Sequence, residues 1–64
     1  MTVRELAKLK NFTVVGKLTR IQDIRYGVDG KHYPCYMDEA GNEYWMSDDG
    51  VTEGCIVTAD GGVL

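Results

Sequence analysis

His32, Cys35 and Cys55 are the side chains, methionine apart, through which this 64-residue chain could ligate a soft metal. The chemistry they would support is a structural zinc site, which wants four ligands and usually pairs them with short spacings at both ends. His32-x-x-Cys35 is one such half without a second, and on a strand residues three apart point to opposite faces. No metal site is assigned, and both cysteines read as small buried apolar groups. Nucleophilic catalysis would need an activated Ser, Cys or Thr with a base and an orienting group. His32 is the single histidine and stands beside an expected turn. No nucleophile elbow, phosphate-cradling glycine loop or dinucleotide fingerprint is present. The pairs Asp38/Glu39 and Asp48/Asp49 fall in expected turns, miss the spacing of a calcium loop, and read as turn formers and solubilising charge. The sequence therefore assigns no catalytic residue and no cofactor, and the expectation is a protein that is not an enzyme.

The aromatic residues Tyr26, Tyr33, Tyr36, Tyr44 and Trp45 carry more information. Tyr36 and Trp45 are expected side by side on a sheet face, with Arg25 as a third member, forming an interface of the aromatic and arginine type that protein contacts favour. The partner would be another protein or a second copy of the chain in a homodimer. One alternative is a small nucleic-acid-binding module, with Lys17, Arg20, Arg25 and Lys31 on phosphates and the aromatics stacking on bases. Another is an acidic inhibitor whose carboxylates imitate phosphates. Charge bears on both: the net charge is -3, yet the first 32 residues hold all seven Lys and Arg against three acids, and the last 32 hold seven acids with no Lys or Arg.

These residues need a scaffold. Sixty-four residues suffice for one domain spanning 1–64, with a thin stability reserve. Thr2-Val3-Arg4-Glu5 is a capping box, and Val3, Leu6 and Leu9 follow at helical spacing, so the spacing predicts a short amphipathic helix over 2–10 that must dock on strands. With no recognition helix after it, a helix-turn-helix is excluded. Phe12 to Leu18 reads as a strand with Phe12, Val14 and Leu18 on one face, and Gly16 as a bulge or a close backbone approach. Asp29-Gly30 reads as a two-residue hairpin turn. Counting outward pairs Val28 with Lys31, Tyr26 with Tyr33, Arg25 with Pro34, Ile24 with Cys35, Asp23 with Tyr36 and Gln22 with Met37. Pro34 then implies an edge strand or a bulge.

A second turn about Ala40-Gly41 pairs Met37 with Tyr44, Tyr36 with Trp45 and Cys35 with Met46. Tyr33, Cys35, Met37, Tyr44 and Met46 would then face the helix, leaving Tyr36 and Trp45 on the far side. Cys55 to Thr58 is the last expected strand. The predicted fold class is α+β: a short N-terminal helix packed on an antiparallel meander of four to five strands, curled into a partial barrel, laid flat, or completed across a dimer. No apolar run is long enough to cross a bilayer and the start lacks a signal-peptide pattern, so the expected location is cytoplasmic, away from membranes.

Overall fold

The computed structural model describes residues 1–21, 25–26 and 30–64. Thr2 is extended (φ -88°, ψ 163°) and opens helix α1, Val3–Leu9. Its hydroxyl accepts the Glu5 N–H at 3.1 Å, and the Glu5 carboxylate accepts the Thr2 N–H at 2.9 Å, so two otherwise orphaned amide donors are satisfied by the capping box. Lys10 caps the other end, and Asn11 leaves it at φ 56°, a region that asparagine tolerates better than most residues. The buried helix residues are Val3, Leu6 and Ala7, whereas Leu9, expected on the docked side, is 60% exposed. At about 100° per residue, Leu9 falls more than ~100° from the centre of the Val3/Leu6/Ala7 stripe.

Six short strands follow among the described residues: β1 (Thr19–Arg20), β2 (Arg25–Tyr26), β3 (His32–Tyr33), β4 (Cys35–Met37), β5 (Glu43–Trp45) and β6 (Cys55–Val57). The first, fourth, fifth and sixth form one antiparallel sheet in the order β1-β4-β5-β6, and β2 pairs with β3. The class is α+β, and the sheet stays open instead of closing into a barrel. Leu64 and Ile56 exchange two backbone hydrogen bonds, of 2.8 and 3.2 Å, and Val63 bridges Val57, so the last residues run along the outer edge of β6.

The segment 12–18 is not a strand. Its backbone bonds go to the 38–39 turn: Val15 N–H donates to Asp38 Oδ2 (3.1 Å), Lys17 N–H to Glu39 Oε2 (2.6 Å), and Glu39 N–H to the Val15 carbonyl (2.9 Å). Gly16, at φ 69°, is a close approach: a Cβ there would lie 1.9 Å from the Glu39 carboxylate. Phe12, Val14 and Leu18 do share a side and pack against the core.

Both hairpin registers differ by one residue from the expected ones. Tyr26 pairs with His32 instead of Tyr33, and Arg25 with Tyr33 instead of Pro34. Met37 pairs with Glu43, Tyr36 with Tyr44 and Cys35 with Trp45. The cause of the β4–β5 slip is visible at 38–42, where Asp38 N–H donates to the Asn42 carbonyl, Gly41 N–H donates back to the Asp38 carbonyl, and Gly41 sits at φ 89°. This is a three-residue loop with glycine at its left-handed last position, not a loop of even length. The same closure recurs at 58–62 around Gly61, φ 95°. The pairings expected of Gln22, Asp23, Ile24 and Val28, and the turn residue Asp29, lie outside the described residues. Their expected partners on β4 are taken by β1: Thr19 pairs with Met37, Arg20 with Tyr36, and Ile21 N–H donates to the Cys35 carbonyl. Pro34 stands between β3, a member of the two-stranded sheet, and β4, an inner strand of the other, and interrupts what the hairpin reading expected as one strand.

A one-residue slip exchanges the two faces of a strand. The helix face of the sheet therefore carries Tyr36, Tyr44, Met46 and Ile56, and the other face Cys35, Met37, Glu43, Trp45, Cys55 and Val57. Val3, Leu6 and Ala7 pack on Tyr44, Met46 and Ile56, with Phe12 edge-on to Tyr44 at 6.3 Å between ring centroids. Leu6, Tyr44 and Ile56 are fully buried, so the core closes within one chain and needs no second subunit to complete it.

Candidate functional site

The densest polar cluster is built around Asp38, which is buried. Alternation places Asp38, Asn42 and Tyr44 on the helix side of the sheet, where their side chains converge. Asp38 accepts the Ala40 and Asn42 amides, each at 3.0 Å, and the Val15 amide at 3.1 Å. It also accepts the Asn42 side-chain amide at 2.9 Å and the Tyr44 hydroxyl at 2.7 Å. Asn42 Oδ1 passes the connection on by accepting Ala59 N–H at 2.9 Å. Burial works against the charge on Asp38, but the hydrogen bonds from Asn42, Val15 and Tyr44 together hold its carboxyl well below the usual range. Burial, and then the bond to Asp38, push the Tyr44 hydroxyl above its ordinary value. Every lone pair is spoken for by a fixed donor, so the cluster clamps four segments together. It is not poised for proton transfer, which wants a group titrating near the operating pH.

The sheet face away from the helix offers a different kind of surface. Cross-strand pairing lines up Cys35, Trp45 and Cys55 in one row, and Thr19, Met37, Glu43, Val57 and Val63 in the next. Trp45 Nε1 donates to Glu43 Oε1 at 3.1 Å, and the Cys35 thiol points to the same oxygen at 3.6 Å. Tyr33 adds its ring 6.2 Å from that of Trp45. Cys35 is buried beneath this group; Tyr33, Met37, Trp45, Cys55 and Val57 are partly exposed, and Val63 is 68% exposed. Burial pushes the Cys55 thiol up, with Lys10 offsetting part of the effect, which is the opposite of an activated nucleophile. What this arrangement offers is apolar and aromatic contact area with one indole held in place.

Of the residues singled out from the sequence, Trp45 lies on the helix-free face, but Tyr36 does not join it. Tyr36 packs on the helix side against the core, with the Arg20 guanidinium 5.4 Å from its ring centroid. The expected Tyr36–Trp45 pair is thus replaced by two separate contacts, Arg20–Tyr36 and Tyr33–Trp45, a direct result of the odd loop at 38–42. Arg25 is placed in β2 and the role expected of its side chain lies outside the described residues. Lys17, Arg20 and Lys31 are exposed. Among the described residues no group of three or more His, Cys, Asp or Glu converges on a common point. Nor is any helix among them long and apolar enough to cross a membrane. Sequence reasoning missed Glu43 and Tyr33 as companions of Trp45; the i, i+2 spacing of Glu43 and Trp45 on one strand was the available signal.

No family model, curated protein or solved structure matches the chain.

Proposed function

We propose that this protein is a non-catalytic protein-interaction module whose docking surface is the helix-free face of the sheet, anchored by Trp45. The observation that carries this reading is the row Met37–Glu43–Val57–Val63 beside Trp45 and Tyr33, an apolar surface left uncovered by α1. Among the described residues of that row the charge is on Glu43, whose Oε1 accepts the Trp45 indole N–H. Rigid aromatic side chains dock with little loss of conformational freedom, and the bond to Glu43 fixes the indole before any partner arrives. A surface of this kind fits an apolar face on another protein better than it fits a polyanion.

The chain contains a single tryptophan, so Trp45 reports on its own burial. Partners retained by the wild-type domain and lost by Trp45→Ala are to be purified and titrated back. The expected result is a blue shift of the Trp45 emission on binding, with a tenfold or greater loss of affinity for Val63→Lys, an exposed position on the same face. Unfolding of Trp45→Ala together with unchanged binding by Val63→Lys would remove this surface as the docking site. So would a partner whose binding leaves the emission unmoved.

A further inference from the structure

A groove runs between α1 and the segment that follows it. Its rim is made by Arg4 and Lys8, one helical turn apart, with Asn11 and Thr13, and its floor by the partly buried Phe12 and Val14. Its volume of ≈ 360 Å³ admits a branched aliphatic side chain, and none of its lining residues is acidic. Arg4 and Lys8 are exposed, and among the described residues neither is in a salt bridge, in contrast to Lys10, which pairs with Glu53 at 3.5 Å. Within its own molecule the Arg4 charge also acts on the Tyr44 hydroxyl, whereas Lys8 lies further along the same rim.

The chain carries a matching shape elsewhere. Asp48, Asp49, Gly50 and Val51 form an exposed loop, and Val51, 79% exposed, is the most exposed large apolar side chain among the described residues. The loop is ordered from within: Asp49 Oδ1 accepts the Val51 amide at 2.7 Å and the Thr52 amide at 2.8 Å, and the Thr52 hydroxyl donates to the other carboxylate oxygen. A preordered loop gives up little freedom when it docks. In its own molecule this loop borders a separate depression beside Arg20, Tyr36 and Met46, so it does not fill the groove at Arg4 and Lys8.

We propose that copies of this chain associate head to tail, with the Asp48–Val51 loop of one copy seated in the Arg4/Lys8 groove of the next. Val51 enters between Phe12 and Val14, and the Asp48 and Asp49 carboxylates meet the two cations on the rim. A contact between two different patches leaves one loop and one groove free at the ends of a series, so association continues with concentration, into an open chain or, where the rotation between copies closes, a ring. Attraction between exposed charges makes it weaken as salt rises. This contact uses none of the residues assigned to the Trp45 face, and the two stand or fall separately.

The experiment is sedimentation of the full chain from micromolar to millimolar concentration at low and high salt. Wild type is expected to show a rising average mass that falls back at high salt. Lys8→Glu, which spoils the groove, and a loop variant carrying Asp48→Ser and Val51→Ser are each expected to weaken association tenfold or more. All three positions are exposed, so the folds should be kept, and circular dichroism checks this; Lys8→Gln serves as the milder groove variant. An equimolar mixture of Lys8→Glu with the loop variant retains one good loop and one good groove, and is expected to give a capped one-to-one dimer and nothing longer. A monomeric wild type throughout the range, unaltered association in the groove and loop variants, or a mixture that stays monomeric overturns the proposal.

Discussion

Tyr44 donates its hydroxyl proton to Asp38 across 2.7 Å, and both residues are buried. The bond ties the middle of the sheet's helix face to the turn that sets the β4–β5 register. Phenylalanine at position 44 keeps the shape and removes one of several donors to Asp38, and should cost about 1–2 kcal/mol in urea unfolding. Alanine at position 38 leaves the Val15, Ala40 and Asn42 donors unpaired at once and should cost about 3–5 kcal/mol. The two changes share a network, so the double variant should lose less than the sum. A Tyr44→Phe variant as stable as wild type would show that the hydroxyl contributes nothing to the clamp.

Acidification should act through the same carboxyl. The folded Asp38 pKa is depressed relative to the unfolded chain, so its contribution to stability is fully present above the unfolded value of about 3.9 and is lost as pH falls below it toward the folded value. Glu5, Asp49 and Asp60 are shifted the same way by their hydrogen bonds, but they are exposed and screened by water. Melting temperatures of wild type should drop steeply below about pH 4, and Asp38→Asn, less stable at neutral pH, should show a flatter acid limb. Parallel acid limbs in the two proteins would place the acid sensitivity elsewhere.

How far the sequence announced this depends on the kind of signal. The start of the helix was legible because Thr2 and Glu5 specify it by local hydrogen bonds alone, whereas its docked stripe was misjudged at Leu9. The glycine at 41 marked its turn correctly, but a glycine closing a three-residue loop looks the same in sequence as one inside an even-numbered loop, and that difference of one residue moved Tyr36 onto the helix side. Asp38 read as a turn former, which it is. Its burial follows from Val15 and Tyr44, which reach it from 23 residues upstream and six downstream, and only a three-dimensional turn brings them together. Asn42 and Tyr44, two apart where β5 begins, share a face by alternation; that Asp38 joins them follows only from the odd length of the loop between.

Two glycines separate conformational cost from steric cost. Gly61 has φ 95° with nothing within 4 Å of an added Cβ, so Gly61→Ala should cost about 1 kcal/mol through backbone strain alone. Gly54 lies so close to β5 that a Cβ would sit 2.0 Å from the Trp45 carbonyl oxygen. Gly54→Ala must push apart the two backbones and should cost well over about 2 kcal/mol, visible as a larger fall in urea midpoint than for Gly61→Ala. Equal midpoints for the two variants would mean that the approach of Gly54 to β5 is not close.

Cys35 and Cys55 lie in the same cross-strand row, but Trp45 stands between them on β5. Two strand spacings separate their backbones by roughly 9.5 Å, and a disulfide needs Cα atoms within about 7 Å. Oxidation of the folded monomer should therefore not produce the loss of two hydrogens that an internal bridge brings. Thiol labelling should separate the two residues, because Cys55 is partly exposed and Cys35 is sealed beneath the Trp45–Glu43 group. In the native protein Cys55 should label slowly, held back by its raised pKa, and Cys35 only once the sheet opens. Urea should bring the second thiol up to the rate of an unfolded chain at the same midpoint that circular dichroism reports. Trp45→Ala should expose Cys35 to labelling in the folded state, since the indole is part of what covers it. An internal bridge in the oxidised monomer, or native labelling of Cys35 at the rate of Cys55, would contradict a strand order that places β5 between them.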